Sequence, residues 1–496
     1  MDGPRRKKFA PRSRKGCMSC RQRKKRCDEG RPACANCLRV NVTCEWTALT
    51  HVGLRRRRPR GAEILETTSP KSPNRSLTHG STPDLDLCDH STGPAFALSA
   101  SPALTNDQRY LLTYYIRTLV PTFSVLASPS VYHVSLYVPM AFQSPGVLNA
   151  ILASAASHLA KTTLGLDRAD HFGSMAKAHL LVCHKHLQEV VNDEANSARN
   201  SIETVAILML LVALETQNGS KGAKWQHQLA CAGNIVAALG GPQHFIKAGW
   251  ESQSVFGHFL YHDFCAMAVD VVRADVDSRR SNISGRLPDW TSLCPENSFD
   301  EELNLGLDPL MGCASSLFVK IRQIGLLRQL PDSSLKRLQL YTTLEEHIRG
   351  WNIPDRNPAE DTVREVGLAA QLDLRALAES YRLGALILLY RTSDVSSTVL
   401  STIAKQIMSY VARIPDGNQV ESGLAFPLFM AGGELVGWED MESCALKLRG
   451  IRDRTSLMNI QGIEEILESI WRSKLNGAKK DWVDIFREES HAICIA

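Results

Sequence analysis

Six of the fourteen cysteines in this 496-residue chain fall between residues 17 and 44, in two halves with the same spacing. In each half, two residues separate the first cysteine from the second, and six separate the second from the third. A segment of about 30 residues cannot bury enough apolar surface to fold by itself. Because the other cysteines are scattered singly and no export signal precedes the array, we expect reduced thiols that bind metal.

The number of cysteines indicates two zinc ions that share ligands. Structural zinc takes four ligands in a closed tetrahedron, and two ions therefore need eight ligand positions, which six thiolates supply only if two of them bridge. Since the set has no histidine, carboxylate or open position, we expect structural and not catalytic zinc. An accidental cluster and a metallothionein-like store are the alternatives. The candidate ligands are Cys17, Cys20, Cys27, Cys34, Cys37 and Cys44.

Positive charge is concentrated around the first half of the array. Residues 1–60 hold 19 lysines and arginines against 4 acidic residues, whereas the rest of the chain holds 38 against 48. A helix in the major groove can present lysine and arginine to guanine and to phosphates. The sequence therefore predicts that the first half contacts double-stranded DNA, because the second half has only Arg39 between its last two cysteines. The candidate DNA-binding residues are Arg21, Arg23, Lys24, Lys25 and Arg26.

Over residues 17–44 the chain resembles the fungal zinc binuclear cluster (Zn2Cys6) family of DNA-binding modules. The resemblance implies that Cys17 and Cys34 are the bridging ligands. It also implies that Pro32 is the proline of the loop that joins the two halves.

The same resemblance implies roles for the basic residues and a target sequence. Lys24 is at the position of the family's main base-reading lysine, with Arg23 beside it, and Arg21 and Arg26 are directed toward phosphates. Arg23 differs from the lysine often found at its position. The implied half-sites are CGG or CCG.

The flanks of the array differ from it in composition. We interpret residues 1–16 as a basic arm, 17–46 as the DNA-binding module and 47–105 as a basic, then Ser/Thr/Pro-rich, disordered linker. Basic runs at 5–8 and 55–60 suit nuclear localisation or extra phosphate contacts. Residues 46–66 lack a heptad run, so a homodimer is possible but is not predicted from this segment.

From residue 106 onward the chain shows helical periodicity and almost no alternating strand pattern, which predicts an all-α body over 106–496. The predicted helices cover 106–119, 146–162, 168–193, 202–217, 223–240, 252–273, 310–329, 332–350, 362–392, 395–413, 440–450, 459–475 and 480–490. Predicted helix stops lie at Pro139, Pro145, Gly240-Gly241-Pro242 and Gly432-Gly433.

This body resembles the fungal specific transcription factor domain, on the segments 111–116, 139–142, 148–159 and 225–232. The resemblance implies a helical module for regulation and for contact with the transcription machinery or co-regulators. Together, the two resemblances predict a nuclear, zinc-dependent, sequence-specific RNA polymerase II transcription regulator. The alternative is a metabolite-responsive regulator of a biosynthetic or catabolic gene cluster that acts mainly through protein contacts.

Two groups in the body have ligand-like spacing on one helix face. Because neither has an evident fourth ligand, we favour residues at the edge of the core over a second metal. The groups are His179, Cys183 and His186, and His258, His262 and Cys265.

The remaining patterns exclude some classes of protein. Residues 481–489 mix acidic and bulky apolar side chains, which is typical of activation segments but favours a packed last helix. The longest apolar run, 205–214, is too short to span a membrane. No phosphate-binding glycine loop, GxSxG or HExxH motif is present, so we do not expect an enzyme.

Overall fold

The computed structural model describes residues 20, 25, 27, 34–40, 104–126, 132–192, 197–220, 222, 224–273, 307–353, 367–477, 480–489 and 494–496. Within these ranges the chain is helical and has no strand, which confirms the all-α prediction. The predicted basic arm and almost all of the predicted linker lie outside the described residues. Contacts divide the chain into two units, Met1–Pro94 and Ala95–Ala496.

The first unit contributes one described helix, α1 (Ala35–Arg39). The second unit begins with α2 (Asn106–Tyr114), a π-helical turn (Tyr115–Leu119), α3 (Val120–Phe123), α4 (Tyr132–Ser135), α5 (Tyr137–Ala141), α6 (Pro145–Thr162), α7 (Leu166–Asn192), α8 (Ser197–Gln217), α9 (Lys224–Ala238), α10 (Pro242–Lys247) and α11 (Trp250–Arg273). It continues with α12 (Ser315–Ile321), a 3-10 helix (Arg322–Arg328), α13 (Leu335–Gly350), α14 (Leu368–Tyr390), α15 (Ser397–Val411), a 3-10 helix (Gln419–Leu424), α16 (Ala425–Glu434), α17 (Trp438–Thr455), α18 (Met458–Leu475) and α19 (Trp482–Glu489).

Local signals account for several helix boundaries. Thr105 and Gln108 form a reciprocal capping box at the start of α2. Ser144 caps α6, whose first residue is Pro145, where a missing N–H removes no helical hydrogen bond. Gly240 has a φ of +91° between α9 and α10, a conformation that glycine adopts readily. The helix stop predicted at Gly240-Gly241-Pro242 is thus confirmed, whereas Pro145 begins a helix and does not end one.

The predicted stop at Gly432-Gly433 is wrong, because both glycines lie inside α16. A Cβ atom on Gly432 would lie 2.6 Å from a Leu467 methyl carbon, and one on Gly433 would lie 2.7 Å from the Trp482 ring. The glycines therefore allow α18 and α19 to pack closely on α16. Pro139 also lies inside a helix, in the first turn of α5, where its missing N–H has no intrahelical partner to lose.

Helix α11 lies in the core of the body. Among the described residues it is the one helix long and apolar enough to cross a membrane, but 94% of its apolar 18-residue stretch is buried inside the protein, as in the core helix of a soluble domain. Phe264 of α11 packs edge-on against Phe318 and Phe426, at centroid distances of 4.8 and 4.9 Å. A helix that is mostly apolar around its circumference requires this burial, because it has little polar surface to present to water.

The last helix, α19, packs onto the body, which confirms the interpretation of 481–489 as a packed helix. Trp482 and Phe486 are buried, and the Trp482 indole N–H donates to the Glu434 carboxylate at 2.9 Å. Arg391 donates to both oxygens of Glu434, at 2.6 and 2.7 Å, and also to Asp481. Two hydrogen bonds to one carboxylate fix the orientation of the Arg391 guanidinium and also pair its positive charge.

An ion pair is buried between α11 and the following 3-10 helix. The Nε of Arg322 donates to the Asp263 carboxylate at 2.5 Å, and the two side chains are 5% and 0% exposed. At such low exposure each charge relies on its partner, because neither can be solvated by water.

Replacing Asp263 by alanine is expected to lower the free energy of unfolding by about 3–5 kcal/mol, because it leaves the Arg322 charge buried without its carboxylate. Urea unfolding of the full chain, followed by circular dichroism, measures the change. The control is Asp453→Ala, since Asp453 is 63% exposed beside Arg452 and should contribute less than ~1 kcal/mol. Equal losses in the two variants would contradict the role of the buried pair.

Candidate metal centre

Three thiols of the cysteine array lie together in the structure. The sulfur atoms of Cys20, Cys27 and Cys34 are all within 4.8 Å of one another, and their side chains are buried. The Cys20 sulfur lies 3.6 Å from that of Cys34 and 3.9 Å from that of Cys37. Two sulfurs on one tetrahedral zinc ion lie about 3.8 Å apart, since each Zn–S bond is about 2.3 Å. The thiols therefore have the spacing and the chemistry that zinc requires.

Short backbone contacts bring these thiols together. The Lys25 N–H donates to the carbonyl oxygen of Cys20 at 2.9 Å, which turns the chain back after the second cysteine. In the second half, the Cys37 N–H donates to the carbonyl oxygen of Cys34 at 3.0 Å, where α1 begins. This turn carries both thiols of the CxxC pair into the same buried cluster. When bound, zinc crosslinks these turns and supplies the folding free energy that an apolar core would otherwise provide.

The structure describes only part of the predicted set of ligands and DNA contacts. Lys25 is exposed to solvent, and so is Arg39, whose guanidinium donates to the Asn36 side chain at 3.3 Å. The other predicted residues lie outside the described ranges; they are Cys17, Cys44, Arg21, Arg23, Lys24 and Arg26.

The first histidine and cysteine group of the body is engaged in contacts between helices. His179 Nδ1 donates to Asn149 at 2.7 Å, and His186 Nε2 lies 2.9 Å from Glu203. Cys183 is fully buried between them, and burial raises the pKa of its thiol to about 12. These contacts join α7 to α6 and α8, as expected for residues at the edge of the core. Among the described residues, the only group able to hold a metal is the cluster of Cys20, Cys27 and Cys34.

The second group is also buried, but in different surroundings. His258 Nδ1 shares a 2.8 Å hydrogen bond with the Tyr137 hydroxyl, and its ring lies 5.1 Å from that of His262. Burial raises the pKa of the Cys265 thiol well above the usual value. Burial likewise lowers the pKa of His262 to about 3, so this side chain is neutral at physiological pH.

Sequence analysis missed a third histidine of this cluster. His133, in α4, is 1% exposed, and its ring packs edge-on against that of His258 at 5.0 Å. Burial, followed by the neighbouring His262, lowers the pKa of His133 to about 3. The only signal was a histidine set among tyrosines in the segment 132–137, and no spacing rule links that segment to α11.

Comparison with known families explains the combination of a thiol cluster and a helical body. The model of the fungal specific transcription factor domain matches residues 110–496, and that of the fungal Zn(2)-Cys(6) binuclear cluster domain matches residues 15–50. The fold and the site thus define a DNA-binding transcription regulator with a two-zinc cofactor. The chain belongs to the fungal specific transcription factor domain family, whose model covers more than half of it.

Individual relatives agree with this assignment. Transcriptional activator protein UGA3 of Saccharomyces cerevisiae is 21% identical over 537 residues, which cover 98% of each chain. An uncharacterized transcriptional regulatory protein of Schizosaccharomyces pombe is 21% identical over 96% of each chain. Cercosporin biosynthesis regulatory protein CTB8 of Cercospora beticola is 32% identical over 87 residues, or 18% of this chain and 21% of that protein. These relatives are transcription regulators and not enzymes, and no solved structure matches the chain.

Replacing Cys34 by alanine is expected to reduce the zinc content of the purified full chain from two ions to fewer than one, because the missing thiolate opens the cluster. Mass spectrometry of metals against protein concentration measures the ratio. Cys231→Ala, which removes an exposed thiol of α9, should retain both ions. A Cys34→Ala protein that still holds two ions would contradict the assignment of this thiol to the cluster.

Proposed function

We propose that this chain is a sequence-specific, nuclear regulator of RNA polymerase II transcription that recognises CGG- or CCG-type half-sites in double-stranded DNA. One observation carries the proposal: the buried thiols of Cys20 and Cys27 directly flank a segment with five basic residues in six positions. Lys25, which lies within that segment, is exposed at the surface. Positive charge held in this way suits a helix that enters the major groove.

We assign the six array cysteines as the zinc ligands, with Cys17 and Cys34 bridging. The 3.6 Å separation of the Cys34 and Cys20 sulfurs supports this, because a bridging ligand from one half must reach the thiols of the other. Two zinc ions and six thiolates carry a formal charge of −2. Neighbouring lysine and arginine side chains offset this charge and at the same time face the DNA.

Within the basic segment we assign different tasks to different residues. Lys24 donates to the O6 and N7 atoms of guanine, with Arg23 beside it. Arg21, Lys25 and Arg26 hold backbone phosphates, which position the module but carry no sequence information. In this division of roles, Lys24 provides sequence specificity and its neighbours provide affinity for the DNA backbone.

The remaining parts of the chain have distinct proposed roles. Residues 1–16 form a basic arm, 17–46 the DNA-binding module, 47–105 a linker and 106–496 the regulatory body. We propose that the body contacts co-regulators, the transcription machinery or a second copy of the chain. The basic runs at 5–8 and 55–60 support import into the nucleus or further phosphate contacts.

A second candidate function is that the chain regulates a gene cluster in response to a metabolite and acts mainly through protein contacts. The partial match to a cercosporin biosynthesis regulatory protein supports a cluster regulator. In that case the basic segment only brings the protein to chromatin, and base reading by Lys24 is dispensable.

Replacing Lys24 by alanine is expected to weaken binding to a CGG-containing duplex about 5- to 150-fold, because a good base contact contributes ~1–3 kcal/mol of discrimination. Fluorescence anisotropy with the full chain measures the dissociation constant, and a duplex with scrambled half-sites gives the nonspecific reference. Arg39→Ala is the control, since it removes an exposed arginine from the other half of the module. Specific binding and reporter output that are unchanged in Lys24→Ala would favour the second candidate function.

Replacing Lys25 by alanine should affect salt dependence more than specificity. A lysine that contacts a phosphate releases about one counterion on binding, so the slope of log affinity against log salt should become shallower by about 1. Titrations from 50 to 200 mM salt, on specific and on scrambled duplexes, measure this slope. An unchanged slope with altered preference between the two duplexes would assign base reading and not phosphate binding to Lys25.

A further inference from the structure

An internal cavity lies in the body, where α11 faces the segment around α3 and α4 and the start of α18. Its walls include Phe123, Leu210, Tyr261, Leu310 and Ile460, so much of its surface is aromatic or aliphatic. The cavity offers about 60 Å³ to the centres of water-sized spheres. One water molecule needs ~10–15 Å³ by this measure, so there is room for a compact molecule or for several waters.

Polar side chains with unused hydrogen-bonding atoms line the same cavity. The Tyr115 hydroxyl, both ring nitrogens of His133, Nδ1 of His262 and Oδ1 of Asn459 are buried and have no hydrogen-bond partner among the described residues. Buried polar atoms are almost always paired, because an unpaired one forfeits its hydration without compensation. Five such atoms around one cavity indicate that their partners come from whatever fills the cavity.

The charge of the lining restricts the chemistry of that molecule. Among the described residues, the cavity wall contains no lysine, arginine, aspartate or glutamate side chain. Burial lowers the pKa of both His133 and His262 to about 3, so neither ring supplies a positive charge at physiological pH. An anionic ligand would lose its hydration and gain no counter-charge from these side chains. An uncharged ligand loses much less.

We propose that this cavity binds a small uncharged molecule with a compact apolar body and a hydroxyl or carbonyl group. The apolar body packs against the aromatic and aliphatic wall, and the polar group bonds to His133 and Tyr115, which present both donors and acceptors. A neutral histidine and a tyrosine hydroxyl together can pair with either kind of oxygen. The bound molecule would contact α4, α11 and α18 at the same time, although these helices are far apart in sequence. Any effect of binding on transcription rests on the proposed function.

The affinity of the full-length protein for phenol tests the proposal, with toluene and benzoate as comparison probes. Phenol has the ring and the hydroxyl, toluene lacks the hydroxyl, and benzoate carries a negative charge. By isothermal titration calorimetry, we expect phenol to bind about tenfold or more tightly than toluene, since a site built to bond a hydroxyl rejects an analogue without it. Benzoate should show no measurable binding. Phenol that binds no more tightly than toluene, or that does not bind, would overturn the proposal and leave only buried water.

Two substitutions locate the binding site. His133→Phe should reduce the affinity for phenol about tenfold and leave that for toluene unchanged, because it removes both ring nitrogens but preserves the ring. Tyr115→Phe removes a single oxygen, so it provides the same test if the first variant does not fold. His347→Phe makes the same change at an exposed position of α13 and should retain the affinity of the original protein. An affinity for phenol that stays within twofold in Tyr115→Phe and in a folded His133→Phe would contradict the assigned site.

A further comparison separates this proposal from that of DNA recognition. Lys24→Ala should bind phenol as the original protein does, whatever its affinity for DNA. Loss of DNA binding in Lys24→Ala with retained phenol binding supports both proposals. Loss of selectivity for phenol in His133→Phe with retained DNA binding shows that the cavity acts independently of the base-reading segment.

Discussion

Burial of α11 on all sides is the constraint on which the helical body depends. A helix that is mostly apolar around its circumference must be covered by other elements, and α8, α12, the adjoining 3-10 helix and α14 provide that cover. The same burial explains the Asp263 and Arg322 pair, since a carboxylate on such a helix has no access to water. It also explains why His258 and His262 remain neutral in the core.

Buried polar groups in this core fall into two kinds. Some are fully satisfied within the protein, as where Glu434 accepts from Arg391 and from the Trp482 indole. Others, around His133 and Asn459, have unused atoms on a cavity wall among the described residues. The first kind fixes how α19 and α14 pack, because a satisfied pair specifies one geometry. The second kind is costly unless something pairs with it, and for this reason the cavity stands out from an ordinary packing defect.

The two units are stabilised by different interactions. The cysteine array is too short to exclude water with apolar side chains, so its thiols approach one another closely enough to share metal ions. The body instead buries whole helices around a large apolar core. In the proposed function, the first unit provides recognition of DNA while the second is free to respond to other molecules. A protein that combines them can change its response without changing the DNA sequence that it recognises.

The sequence by itself determined the thiol array, the all-α class and the approximate extent of the predicted helices, because spacing, periodicity and caps act over a few residues. It did not reveal α3, α4, α5, α10 or α16. Pro145 and Gly240 both marked helix boundaries, the first a start and the second an end, since their backbone restrictions are local. Only the tertiary structure showed that Gly432 and Gly433 lie within a helix, because close packing by Leu467 and Trp482 outweighs the local preference of glycine. It alone brought His133 to His258, since contacts between residues 125 positions apart depend on how the helices pack and leave no periodic signal in the sequence.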